Sequence, residues 1–140
     1  MKKRRAKLGG IALVAAAFLC AVFAYALTRS PVFAGEGYEL SLGGSSSARI
    51  IQTQDPAFVK FFTPVAGESA RWAGDVHGEL IARFSAEVLF TETSCGVIHY
   101  YCHSPMLGAG VALGGRTVNL HIAVGNGRTA AGTPVIFGGC

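Results

Sequence analysis

Acid is missing from the first quarter of this chain: none of its eight Asp and Glu residues precedes Glu36. Between Leu8 and Thr28 base is missing too, which leaves 21 residues without a charge behind the cluster Lys2-Lys3-Arg4-Arg5 and Lys7. At ~1.5 Å per residue a helix of that length reaches roughly 31 Å, about the thickness of a bilayer's hydrocarbon core. The excess of Lys and Arg before the run, against Arg29 alone just after it, orients the N-terminus to the cytoplasm and sends the rest outside. The expectation is an extracytoplasmic protein, membrane-anchored through residues 8–28 or secreted. A signal peptide has the same basic start and ends on a small-x-small site. Ala24-Tyr25-Ala26 and Val32-Phe33-Ala34 both have that form, and the second would release a chain starting at Gly35. Cys20 follows bulky Phe18-Leu19 and reads as an apolar thiol in a helix rather than a lipid-attachment site.

Beyond the leader the chain lacks excess base. From Gly35 onward six Lys and Arg face eight Asp and Glu, a net of −2, so the +4 of the whole chain resides in the leader. The six are scattered singly and form no stripe able to neutralise a row of phosphates, which argues against nucleic acid as a partner. The 106 residues that remain suffice for one modest core and not for two. The organisation expected is a signal peptide or signal anchor over 1–34 and a single extracytoplasmic α+β domain over 35–140.

Periodicity supplies the elements. Tyr38, Leu40 and Leu42 alternate with Glu39 and Ser41 as in a half-buried strand, and Gly43 to Ser47 breaks it. Ala48 to Gln54 returns as a strand or begins a short helix, ended by Asp55-Pro56. The state of Ala57 to Val65 is left open; Gly67-Glu68 reads as a turn and Ser69 to Trp72 as a short strand. Asp75 caps a helix over 75–86, with Val76, Leu80, Phe84 and Val88 recurring every four residues. Val97 to His103 and Thr117 to Val124 read as strands, the second with Val118, Leu120, Ile122 and Val124 on one face and Asn119 and His121 on the other. Gly114-Gly115 and Asn126-Gly127 sit where tight hairpin turns need positive φ. A last strand, Thr129 to Phe137, carries Pro134 at an edge or bulge, and Gly138 to Cys140 form a short frayed tail. The fold expected is α+β, an antiparallel sheet meander with one main covering helix.

Catalytic signatures are lacking. Cys95, His99, Cys102 and His103 form the one cluster of potential ligands, yet there is no Cys-x-x-Cys and no pair of histidines on a helix. On a strand His99 and His103 share one face while Cys102 takes the other. A Cys95–Cys102 bridge across the start of a hairpin is preferred to a metal site, and unpaired structural thiols are preferred to the bridge. A cysteine nucleophile with His99, His103 or His121 as base would need an orienting group and oxyanion donors that no local motif supplies. No catalytic residue, cofactor or metal is therefore expected. The candidate binding surfaces are the sheet face or the loop opening with Ser104, Pro105, Met106 and Leu107 and running to Gly110, because loops on rigid scaffolds carry contacts.

The runs Tyr100-Tyr101-Cys102-His103-Ser104-Pro105, Thr117 to Val124 and Gly132 to Gly139 resemble the exported YwmB-like proteins of spore-forming Firmicutes. The likeness covers the last 45 residues or so well and the helix region loosely. It implies a TATA-box-binding-protein-like fold behind an N-terminal signal or anchor, in a family without an assigned reaction. The functional expectation is a non-enzymatic binding or interaction domain at the cell envelope, sporulation-associated by that resemblance, with an envelope protein or ligand as partner. The alternative is a thiol- or metal-dependent enzyme built on the Cys95/His99/Cys102/His103 cluster.

Overall fold

Three hairpins with the same turn chemistry organise the C-terminal half. A computed structural model describes residues 2–45 and 47–137. Gly114-Gly115 and Asn126-Gly127 turn with both residues at positive φ, and so does Cys95-Gly96, at 52° and 76°. Two successive left-handed residues match the right-handed twist of the flanking strands. The third turn escapes a reading by residue type because a cysteine stands where asparagine or glycine is usual.

In chain order the elements are α1 (Lys2–Thr28), β1 (Gly37–Ser41), β2 (Ile50–Thr53), α2 (Pro56–Phe62), β3 (Gly67–Ala73), α3 (His77–Arg83), β4 (Glu87–Ser94), β5 (Val97–His103), β6 (Val111–Leu113), β7 (Arg116–Val118), β8 (Leu120–Gly125) and β9 (Arg128–Thr133). Seven strands form one antiparallel sheet in the order β2-β1-β3-β9-β8-β5-β4, and β6-β7 make a separate hairpin. The chain is thus α+β with an N-terminal apolar helix. The sheet is not a meander: β9 sits at the centre, between β3 and β8. Its small residues allow this, since Ala131 is fully buried on one face and a Cβ on Gly132 would come within 2.9 Å of Ile136 N on the other.

Several local expectations change. The span over Thr117–Val124 is interrupted at Asn119, whose side chain is buried and whose backbone N–H donates to Cys102 O. The last strand stops at Thr133, ahead of Pro134, and residues 134–137 fold back over the sheet; the Thr133–Pro134 peptide is cis. Gly67-Glu68 is no turn: it opens β3, with the Phe137 ring lying over Gly67. The tail Gly138–Cys140 lies outside the described residues.

The helix expected over 75–86 is shorter, His77–Arg83, with Val76 at its N-cap. Asp75 stands one residue earlier, where its carboxylate accepts the His77 N–H and contacts the His77 ring, which holds its pKa below the usual carboxylate value. The C-terminus closes on Ser85 at φ 46°, with Ser85 N–H donating to Ala82 O and Ala86 N–H to Ile81 O. These are the two bonds of a Schellman cap, here without its usual glycine. Val88 consequently belongs to β4, whose Val88–Phe90 stretch carries a bulge.

One face of the sheet carries the core. Ala70, Cys102, Leu120, Ile122 and Ala131 pack there against Leu80 and Phe84 of α3 and against Phe33, which is 2% exposed. Phe33 meets Trp72 and Phe84 edge-on, at centroid distances of 5.9 and 5.5 Å, a preferred geometry for aromatic pairs. The folded unit therefore takes in residues before Gly35, and the boundary drawn between 34 and 35 falls inside it. A buried ion pair secures the same stretch. Glu68 accepts Val32 N–H (2.8 Å), Phe33 N–H (3.2 Å) and the Lys60 ammonium (2.6 Å), and Lys60 also donates to Ser30 O.

Candidate functional site

The second face of the sheet is open over part of its width. Register pairs Tyr101 with His121, His121 with Gly132, Gly132 with Ser69 and Ser69 with Glu39, so these residues make one row across five strands. The next row holds His99, Ala123, Ala130 and Arg71. Because successive side chains alternate between faces, both rows point away from the core. The residue sizes carve the surface: a floor of Ala123, Ala130 and Ser69 lies between taller walls. The result is a groove of about 360 Å³, closed at one end by Ile136 and reached at the other by Cys95 and Asn126.

One wall is formed by Val97, His99 and His121, and behind His121 runs an aromatic ladder. Phe90, Tyr101 and His121, cross-strand neighbours on β4, β5 and β8, stack at 4.6 and 4.5 Å. The opposite wall is the Arg71–Glu39 ion pair at 2.6 Å, with Arg71 on the exposed rim and Gln52 donating to the same carboxylate.

The two groove histidines are joined, His99 Nδ1 to His121 Nε2 at 3.0 Å. His121 Nδ1 accepts the Ile136 N–H. A neutral imidazole has one donor and one acceptor nitrogen, so this order fixes both tautomers: His121 donates from Nε2, His99 accepts at Nδ1, and the His99 proton stands on Nε2. Among the described residues that buried nitrogen has no hydrogen-bond partner. Burial, and then the neighbouring His99, push the His121 pKa down to about 4, so His121 is neutral at pH 7.

No family model, curated protein or solved structure matches this chain. Its chemistry is therefore read from the groove itself.

The structure divides the Cys95/His99/Cys102/His103 cluster. Cys95 and His99 reach the groove, Cys102 is in the core at 0% exposure, and His103 is exposed at the end of β5. Cys95 and Cys102 are both free, and they stand at opposite ends of β5. Seven residues of extended chain separate them by roughly 23 Å, far beyond the ~7 Å limit for a disulfide, so no bridge joins them and both stand as unpaired thiols. Among the described residues no three His, Cys, Asp or Glu side chains gather as metal ligands.

The candidate interaction loop is anchored at its first residue. Ser104 is fully buried, donates to Phe84 O and accepts Met106 N–H, while Asn119 clamps it by accepting Ser104 N–H (2.7 Å) and donating to Ser104 O (2.8 Å). Leu107 packs on the core, while Pro105, Met106, Gly108 and Ala109 are exposed. Sequence reasoning missed Arg71, His121 as a groove residue, Ala123, Ala130 and Ile136. The alternation in β8 placed His121 correctly opposite Leu120 and Ile122, but nothing local shows which strand lies beside it.

Burial raises the Cys102 thiol to about 11, and thiolate is the reactive form. With Cys20 and Cys140 replaced by Ser, a thiol reagent at pH 8 should label Cys95 in the folded protein at the rate of a free thiol. Cys102 should react only when urea unfolds the domain; mass spectrometry of the labelled peptides reads both.

Proposed function

We propose that this chain is a membrane-tethered extracytoplasmic binding domain, held by α1, that takes a small ligand or the end of a peptide into the open-face groove. The observation that carries the reading is the groove itself: an alanine floor flanked by Arg71 and by the joined His99–His121 pair. Ligand sites are typically concave, mostly apolar and furnished with a few convergent polar groups, and ~360 Å³ lies at the small end of their range. A guanidinium beside an apolar floor suits a short carboxylate with an apolar tail. Arg71 would supply charge and a forked donor. The anchoring part rests on the length and composition of α1, which suit a span, and on the basic cluster before it. The YwmB-like resemblance, with its TATA-box-binding-protein-like fold and sporulation setting, joins this proposal on the quoted residue runs alone.

One observation favours the thiol-dependent alternative: Cys95 occupies a left-handed turn position and reaches the groove that holds His99. Cys95→Asn separates the readings, because asparagine suits the turn and removes the sulfur. Binding should survive that change.

The direct test is an NMR titration of the folded protein with short aliphatic carboxylates and small peptides. Shifts should concentrate at Val97, His99, Ala123, Ala130 and Ile136. Ala123→Trp, which fills the floor, should weaken binding at least about tenfold, 1.4 kcal/mol, while the thermal midpoint stays near that of the wild type. Absence of shifts across the panel would remove the proposal.

A further inference from the structure

Helix α2 is inside-out. Of its seven residues, Pro-Ala-Phe-Val-Lys-Phe-Phe, the one charged side chain, Lys60, is 8% exposed, whereas Phe58 and Phe62 are 63% and 70% exposed. A helix on a water-facing surface has the opposite pattern. The internal side is accounted for by Glu68 and Ser30 O, which receive the ammonium. Among the described residues the outer side has no cover from the domain.

The exposed rings form a patch continuous with α1. Phe58 meets Phe62 at 5.2 Å, Phe62 meets Phe61 at 5.0 Å, and Phe61 meets Tyr25 of α1 at 5.1 Å. Tyr25 Oη–H donates to Phe61 O, and the Arg29 guanidinium lies 4.9 Å above the Tyr25 ring. The chain thus passes from an apolar helix through Tyr25 and Arg29 straight to three phenylalanines. Aromatic rings and Arg or Lys gather where a spanning segment leaves the hydrocarbon.

We propose that α2 is a membrane foot: Phe58 and Phe62 enter the outer interface of the bilayer that α1 crosses, and seat the domain on it. The occupant is lipid because of continuity. Any plane that ends the apolar span near Tyr25–Thr28 passes within one ring contact of Phe61, so a protein partner would have to displace lipid already in place. Rings at that level lie ~5–10 Å deep, at the boundary between headgroups and acyl chains. The outward Phe58 and Phe62 and the inward Lys60 are then one arrangement, with apolar side chains toward lipid and the cation toward protein.

The inference rests on reading α1 as an anchor, and the test separates the two. The full chain is reconstituted into phosphatidylcholine–phosphatidylglycerol bilayers with brominated acyl chains, and tryptophan quenching is read for three variants, Phe18→Trp, Phe58→Trp and Phe62→Trp. Wild-type protein, whose single tryptophan is Trp72, half-buried and bonded to Ala34 O, provides the baseline. Because positions 58 and 62 are exposed, tryptophan should be accommodated there, and an unchanged thermal midpoint checks this. Bromine should quench the added emission at 18, 58 and 62 at least about twofold, with Trp72 unaffected. Quenching at 18 without quenching at 58 or 62 would overturn the foot and leave the anchor standing. No quenching at 18 would overturn both. Protection of 58 and 62 from both bromine and aqueous acrylamide would also overturn the foot, in favour of a second copy of the chain.

Discussion

A chain that begins at Gly35 should be largely unfolded in buffer at room temperature, while one that begins at Arg29 should fold. The shorter chain lacks Phe33, whose ring is enclosed by Trp72, Phe84 and the sheet. Deleting a buried phenylalanine side chain costs about 3–5 kcal/mol. It also removes both amides that solvate one Glu68 oxygen and the carbonyl that receives Lys60. The Lys60–Glu68 side chains are only 10% and 3% exposed, and a buried pair left without its hydrogen bonds is a net liability. Two losses of that size consume most of the ~5–15 kcal/mol that holds a typical domain together. Circular dichroism and urea unfolding of the two chains give the comparison, and equal unfolding midpoints would refute it. In the full chain Phe33→Ala and Lys60→Met should each lower stability by about 3–5 kcal/mol. The two small-x-small sites are therefore not equivalent: processing at Ala34 would discard part of the core, whereas Ala24-Tyr25-Ala26 lies wholly before it.

The second large effect is one of pH. His121 binds its proton at about 4 in the folded state, against 6.5 for the unperturbed imidazole. Between those values the unfolded chain takes up a proton that the folded chain refuses, so stability rises with pH across the window. The contribution is complete above about 6.5 and is lost as pH falls through about 4; its full size is about 3 kcal/mol. Protonation would also set a second N–H against the Ile136 amide and release the segment 135–137 from the sheet. Urea midpoints measured from pH 7.5 to 4 should decline for the wild type and flatten for His121→Gln, relative to each variant's value at pH 7.5. Asp75, whose pKa is lowered from 3.8 by His77, titrates below this window. Parallel slopes for the two proteins would show that His121 is not the group responsible.

Much of the framework was legible before any coordinates. The uncharged run predicts α1, Gly114-Gly115 and Asn126-Gly127 predict two hairpins, and alternation in β5 separates His99 from Cys102. What was hidden falls into two physical kinds. Some signals are local but disguised: Ser85 and Cys95 adopt left-handed conformations without being Gly or Asn, so the end of α3 and the first hairpin carry no sequence flag. Others are pairings between distant residues. The groove exists because β3, β9, β8 and β5 lie side by side, which brings Arg71, Ala130, Ala123 and His99 into one row. No window of sequence contains that row. Glu68 is another such pairing: Gly67-Glu68 reads as a turn, while its partner Lys60 lies in the stretch whose state the sequence leaves open.

The central position of β9 has a consequence for the order in which this molecule can be assembled. The sheet consists of two three-stranded blocks, β2-β1-β3 and β8-β5-β4, and β9 is the one strand hydrogen-bonded to both. A chain is made from its N-terminus, so every neighbour of β9 emerges before it does. Until Arg128–Thr133 has appeared, β3 and β8 each present a bare edge, the kind of surface that pairs with whatever strand is nearest. The strand that follows all its neighbours is the keystone. During synthesis this protein must keep two unfinished sheets apart, and closes them in a single late step.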